Sequence, residues 1–164
     1  MSTFERDDYQ WRETYFVTFA ASDRPTRAEV ESALGAVGVC LEIENLTGDA
    51  EGNFEAVTLR SPEDYSAIDV SYVCGEEIVE ENNRIAEELG PLAADDEERK
   101  KAGLLPKLDA RFDVMHFEQV VKGDPTSDEM GDMLDPSALL MVLEALEHLT
   151  GGIAIDPQSG AFVA

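Results

Sequence analysis

The fold of this chain is decided by residues 135–163, which read DPSALLMVLEALEHLTGGIAIDPQSGAFV. Asp135 is a typical helix cap, and Pro136 suits the first helical position, where a missing N–H costs nothing. The following run is apolar on nearly every side and ends at Gly151-Gly152. It therefore predicts a helix that is too short to span a membrane and must be buried by protein. Two short apolar runs around a turn at 156–160 predict a terminal hairpin, so we expect the C-terminus to be part of the core.

The chain before this helix alternates between strand-like and helix-like segments. Aromatic, β-branched or alternating residues predict strands at Glu13–Ala20, Val39–Asn45, Phe54–Arg60, Ala67–Cys74 and Ala110–Val121. Helical spacing and the capping box Thr26-Arg27-Ala28-Glu29 predict helices over 26–37, Glu76–Leu89 and Asp95–Lys101.

This order of elements predicts an α+β fold, in which helices pack on one face of a mainly antiparallel or mixed sheet. The opening order of strand, helix, strand and strand resembles the start of a ferredoxin-like fold, a topology shared by proteins of unrelated function. The 164 residues are enough for one domain with a core. We expect an N-terminal arm at 1–13 and a single domain at 14–164, with a polar linker at about 90–110.

Charge is the extreme feature of the composition. The chain has 36 acidic and 12 basic residues, which gives a formal net charge of −24. Such a surface repels nucleic acid and anionic lipid, so we expect neither nucleic acid nor membrane as a partner. The acidic residues are spread over the whole chain, which favours a salt-adapted or simply solubilising surface over a mimic of nucleic acid.

Location and redox state follow from the N-terminus and the two cysteines. Residues 1–8 have neither a basic region nor an apolar core, so we expect no signal peptide and take the cytoplasm as the location. Cys40 and Cys74 both stand among apolar residues, which predicts two reduced structural thiols.

One loop has the composition of a cation site. Asp49, Glu51, Asn53 and Glu55 occupy every second position, and oxygen ligands at such spacing suit Ca²⁺ or Mg²⁺. The pattern departs from an EF-hand, because Phe54 takes the place of the glycine that should follow the third ligand. These four residues are the candidate metal ligands, and a solvated hairpin loop is the simpler interpretation.

The candidate catalytic residues are His116 and Glu118. Imidazole titrates near neutral pH, and on a strand Glu118 shares the face of His116, whereas Asp113 points the other way. The structural alternative to a catalytic role is that one neighbouring residue simply satisfies the hydrogen-bonding groups of His116. The other histidine, His148, lies near Glu144 on the narrow polar edge of the 135–149 helix.

The sequence therefore leads to three functional hypotheses. The leading one is a non-enzymatic binding or protein-interaction module with an unknown protein partner and no cofactor. The alternative is a small hydrolase or metal-dependent enzyme that uses His116 and Glu118, and a further alternative is a nucleic-acid mimic. The helix Pro136–Leu149 is apolar on more sides than one sheet face covers. A homodimer through this helix, the N-terminal arm with Trp11, or the linker with Leu104-Leu105 would hide the remaining side.

Overall fold

The computed structural model of the chain describes residues 9–37, 41–61, 66–119 and 137–163. These ranges contain seven strands: β1 (Tyr9–Phe19), β2 (Glu42–Gly48), β3 (Phe54–Ser61), β4 (Ser66–Cys74), β5 (Ala110–Gln119), β6 (Ile153–Asp156) and β7 (Ala161–Phe162). They also contain four α-helices: α1 (Arg27–Gly35), α2 (Glu76–Leu89), α3 (Asp96–Leu104) and α4 (Ser137–Thr150). Single 3₁₀ turns lie at Ala21–Asp23, Gly90–Leu92 and Leu105–Lys107.

All seven strands form one antiparallel sheet in the order β2-β3-β4-β5-β1-β6-β7. The predicted α+β class with an antiparallel sheet is confirmed. The ferredoxin-like start is not confirmed, because three strands separate β1 from β2 and the sheet is larger than that fold requires. Strand order depends on contacts between distant parts of the chain, which local sequence patterns do not contain.

The first strand lies between the fifth and the sixth. Val17 of β1 pairs with Phe112 of β5 on one side and with Ala154 of β6 on the other. Ile153, Ala154 and Ile155 are buried. The prediction that the C-terminal hairpin belongs to the core is therefore confirmed.

Helices cover both faces of the sheet. Val17, Ala154 and their neighbours contact α1 and α4 on one face. Phe16 and Ile155, which point the opposite way, pack with Ile85 of α2 and Leu105 on the other. The expectation of helices on one face was wrong, because β1 and β6 carry apolar side chains at successive positions and such strands need cover on both faces.

The helix ends follow local chemistry. Thr26 Oγ1 accepts from the Glu29 backbone N–H at 3.1 Å, and Glu29 Oε1 accepts from the Thr26 backbone N–H at 3.1 Å, which confirms the capping box. Gly151 follows α4 with a φ of 66°, a conformation that favours glycine. The predicted cap of α4, Asp135-Pro136, lies outside the described residues.

Three local predictions need correction or refinement. β2 begins at Glu42 and ends at Gly48, three residues later than predicted at both ends, and the residues at 38–40 lie outside the described ranges. The polar segment at 90–110 contains α3, and Leu105 at its end is fully buried against α2. Cys74 is exposed at the end of β4, so the prediction of a thiol set among apolar residues was wrong there; Cys40 is not described.

In the described ranges, no helix has the length and apolar content needed to cross a membrane.

Candidate functional site

His116 lies on β5, directly across from Glu13 on β1 and from Ile68 on β4. Its side chain is only 2% exposed, and Nδ1 lies 3.3 Å from Glu13 Oε1. The partner of His116 is thus a residue 103 positions away in the chain. No local signal pointed to Glu13, because strand register between β1 and β5 decides this contact.

Burial dominates the electrostatics of this pair. It lowers the pKa of His116, although the hydrogen bond and the negative charge of Glu13 act in the opposite direction. Next to Glu13 on the same face, burial and the charges of Glu13 and Asp156 raise the pKa of Tyr15 to about 12. Burial therefore favours the neutral imidazole of His116 and the neutral phenol of Tyr15. With Glu13 they form a polar cluster at the edge of the core.

Glu118 shares the face of His116, as predicted, but binds a different partner. Arg12 Nη1 lies 2.6 Å from Glu118 Oε2, and Arg12 is the extra residue of a β-bulge between Trp11 and Glu13. The structure therefore brings the two candidate catalytic residues onto one face and gives each its own partner.

Asp113 points to the opposite face of β5, again as predicted. Arg111 Nε donates to Asp113 Oδ1 at 2.7 Å, and the Arg111 guanidinium lies 3.9 Å from the centre of the Phe16 ring. Burial raises the pKa of Asp113, while the charge of Arg111 works against that rise. Asp113 thus takes no part in the environment of His116.

The candidate cation loop is held by its own backbone. Asp49 Oδ1 accepts from the backbone N–H groups of Glu51 and Asn53 at 2.9 Å each, and Asp49 Oδ2 lies 3.4 Å from Arg24 Nη1. The hydrogen bond from Asn53 is the main reason that the pKa of Asp49 is lowered. Within the described part of the chain, no three His, Cys, Asp or Glu side chains are grouped as metal ligands would be. The loop brings Asp49 and Asn53 together as turn residues and leaves Glu51 and Glu55 exposed.

A surface cleft lies between α1 and α4. It has a volume of about 290 Å³, and its lining residues are mostly small or apolar: Ala33, Ala36, Val37, Met141, Glu144, Ala145 and His148. Met141, one of these lining residues, is 40% exposed, and its neighbour on α4, Leu140, which is not a lining residue, is 48% exposed. We call this surface the α1–α4 cleft.

A second cleft adjoins the first at the C-terminal end of α4. It has a volume of about 480 Å³ and is lined by Glu144, Glu147, His148, Gly151 and Gly152. Glu144 and His148 line both clefts, so the two form one continuous surface. We call this second part the acidic cleft. The sequence placed Glu144 and His148 together, but it gave no sign of a cleft.

The chain matches no family model, no curated protein and no solved structure. Fold alone carries no activity, so function rests on the accessibility of these two sites. His116 is buried beside Glu13, whereas Leu140 and Met141 are 48% and 40% exposed.

Proposed function

We propose that this chain is a protein-interaction module that binds an apolar segment of another protein in the α1–α4 cleft. The observation that carries the proposal is the 40% exposure of Met141 in a cleft whose other lining residues are three alanines, Val37, Glu144 and His148, with the exposed Leu140 next to Met141 on α4. Grooves with apolar walls are where proteins bind an amphipathic segment of a partner, and an exposed methionine in the groove adds apolar contact area for it.

The rest of α4 supports this assignment by contrast. Its other large side chains on the sheet side are buried, among them Leu139, Leu143 and Leu146. Of the described residues expected to cover the far side, Leu105 packs on the opposite face of the sheet, and Trp11 and Leu104 are themselves exposed; the rest of the N-terminal arm, 1–8, lies outside the described residues. The small side chains Ala33, Ala36 and Ala145 would let a partner backbone approach α1 and α4 closely.

The alternative of a small hydrolase or metal-dependent enzyme has less support. Its candidate residues, His116 and Glu118, are held by Glu13 and Arg12 respectively. The pKa of His116 is lowered by burial, and only 2% of the residue is open to a substrate. A general base needs to reach the proton that it abstracts, so this alternative requires a rearrangement that opens the cluster. The cytoplasmic location expected from the sequence remains part of the proposal.

The proposal is tested by capture from an extract of the source cell with three baits: the natural chain, Met141→Glu and Leu92→Glu. Met141→Glu places a charge on the α1–α4 cleft. Leu92→Glu is the matched control, because Leu92 is 74% exposed and lies outside both clefts. The melting temperatures of all three must agree before the comparison is made.

The expected result is at least one protein that is retained by the natural chain and by Leu92→Glu and is lost with Met141→Glu. A set of captured proteins that is the same for all three baits would contradict the proposal. Ester or phosphate hydrolysis that is lost in His116→Gln and kept in Met141→Glu would favour the enzyme instead.

A further inference from the structure

We infer that the segment bound in the α1–α4 cleft is a basic amphipathic helix, which places an apolar side chain in that cleft and a lysine or arginine in the acidic cleft. This inference rests on the proposed function and adds the chemistry of the partner. It is carried by the continuity of two clefts of different character.

The acidic cleft has the electrostatics of a cation site. Glu144 and Glu147 line it, and none of its described lining residues is a lysine or an arginine. It also lies at the end of α4, where Gly151 and Gly152 follow the last turn. The carbonyl groups of a last helical turn carry partial negative charge, which adds to that of the two carboxylates.

One of these carboxylates is already partly desolvated. Burial raises the pKa of Glu147, and Glu144 raises it further. The positive charge of Lys101, the backbone N–H of Ala154 and His148 act in the opposite direction. A cation that enters the cleft therefore meets a carboxylate that has lost part of its water, and charge pairs are stronger in such a site than on an open surface.

The distance between the two clefts determines how far apart the apolar and the basic side chain of the partner must lie. The α4 residues of the first cleft centre near position 144 or 145, and the five lining residues of the acidic cleft, which include Gly151 and Gly152 just after α4, centre near position 148. Four residues along a helix correspond to about 6 Å, or one turn. A helical partner lying along α4 would therefore carry its cation three or four positions from its apolar anchor.

A second copy of the chain fits this surface less well. Each copy carries a net charge of −24, and Glu144 lines both clefts. A two-fold contact through α4 would bring the two copies of Glu144 towards one another, and like charges at an interface oppose binding. Charge complementarity thus favours a basic partner over self-association.

The test uses designed helical peptides of about 15 residues, constrained by a side-chain bridge because short free helices are marginal in water. The probe peptide has leucine at two neighbouring positions of one helical stripe and arginine one turn beyond, on an alanine and glutamine background. In one comparison peptide citrulline replaces arginine, which removes the charge and keeps the shape. In the other, alanine replaces both leucines. Binding to the ¹⁵N-labelled full chain is followed by NMR at about 0.15 M salt, where the Debye length is about 8 Å.

The expected result is a set of shifts confined to the two clefts with the probe peptide. Two carboxylate pairs of 0.2–1 kcal/mol each correspond to binding that is roughly two- to thirtyfold weaker with citrulline. The same loss is expected for the probe peptide on Glu144→Gln/Glu147→Gln. The matched control, Glu77→Gln/Glu80→Gln on α2, removes the same charge elsewhere and should leave the affinity unchanged.

The other outcomes separate this inference from the proposed function. Equal binding of the citrulline peptide would overturn the basic partner and leave the apolar docking site intact. Shifts spread over the acidic surface, or lost equally in the α2 control, would show non-specific attraction and overturn the inference. Shifts of cleft residues with protein concentration alone would identify a second copy as the occupant. No shifts in either cleft would also overturn the inference, and the capture experiment would then decide the proposed function separately.

Discussion

Asn82 of α2 donates a hydrogen bond from Nδ2 to Thr18 Oγ1 of β1 at 2.8 Å, and both residues are buried. The same amide donates to the Leu108 carbonyl at 2.9 Å, and the Thr18 hydroxyl donates to the Ala110 carbonyl at 3.0 Å. A buried polar group that loses its partner is expensive. This bridge therefore fixes the position of α2 on the strand at the centre of the fold.

We predict that Asn82→Ala lowers the free energy of unfolding by about 1–3 kcal/mol, because Thr18 loses a buried partner. Asn83→Ala is the matched control: Asn83 is exposed on the same helix, and its loss should change stability by less than about 0.5 kcal/mol. Urea denaturation measures both. In a double-mutant cycle with Thr18→Val, the double variant should lose less than the sum of the two single losses. Equal losses for Asn82→Ala and Asn83→Ala would contradict the prediction.

The Asn82 bridge also shows how far sequence reasoning reaches. The capping box at Thr26 and the bounds of α2 depend on neighbouring residues, and both were predicted. Helical spacing places Asn82 four residues after Ile78 and three before Ile85, so its burial was implicit in the apolar stripe. Its partner Thr18 is 64 positions away, and no local pattern identifies a contact at that distance.

The predictions for the candidate site divide in the same way, into local features that were predicted and contacts between distant residues that were missed. Alternation along β5 correctly placed His116 and Glu118 on one face, with Asp113 on the other. The Glu13 and Arg12 partners depend on register between β1 and β5, including a bulge, and were missed. The α1–α4 cleft arises because α1 and α4 pack side by side on the sheet, a tertiary relationship that composition does not encode.

We predict a pH dependence of stability that originates at His116. Burial holds its pKa below the ordinary value of 6.5, so the unfolded chain takes up a proton at a higher pH than the folded chain does. The contribution of His116 to stability is therefore complete above about pH 6.5 and is lost as the pH falls from 6.5 towards the folded pKa. Urea denaturation of the natural chain and of His116→Gln should show a shallower decline in the variant over this window.

Glu13→Gln tests the contribution of Glu13 to the pKa of His116 separately from that of burial. The carboxylate of Glu13 favours protonation of His116, so removing its charge should lower the pKa of His116 further. Titration of the imidazole by NMR measures the pKa in both proteins. A pKa at or above 6.5 in the natural chain would refute the dominance of burial.

We predict that two leucines of α4 respond very differently to truncation. Leu143 is 1% exposed in the main core, so Leu143→Ala should lower the free energy of unfolding by about 2–5 kcal/mol. Leu140→Ala, one turn earlier at 48% exposure, should cost less than about 0.5 kcal/mol. Thermal or urea unfolding measures both losses, and they can be compared directly because both variants replace leucine by alanine. Similar losses of unfolding free energy for the two variants would contradict the assignment of Leu143 to the core side of α4 and of Leu140 to its exposed side.

We predict that salt stabilises the chain. At a net charge of −24, repulsion opposes the compact state, and screening weakens it as the Debye length falls from about 30 Å at 0.01 M to about 3 Å at 1 M salt. The melting temperature should rise over this range, which scanning calorimetry would measure. Glu77→Gln/Glu80→Gln/Glu87→Gln removes three exposed charges of α2 and should make the rise smaller. A melting temperature that is flat or falls with salt would rule out repulsion as the controlling force.

The last prediction concerns assembly. The sequence led to a homodimer through the helix Pro136–Leu149 as one way to cover its second apolar side, and the side chains such a dimer would use are Leu140 and Met141. Two half-exposed side chains supply only a small part of the roughly 800 Å² that each partner buries in a standard interface. Glu144 beside them adds repulsion between copies.

We therefore expect sedimentation equilibrium at moderate salt and tens of micromolar protein to give a mass near 18.0 kDa. Met141→Glu should leave that mass unchanged, because position 141 would then lie outside any contact between copies. A mass of about twice 18.0 kDa that returns to the single value in Met141→Glu would instead support the homodimer. It would make a second copy of the chain, and not a basic helix, the occupant of the α1–α4 cleft.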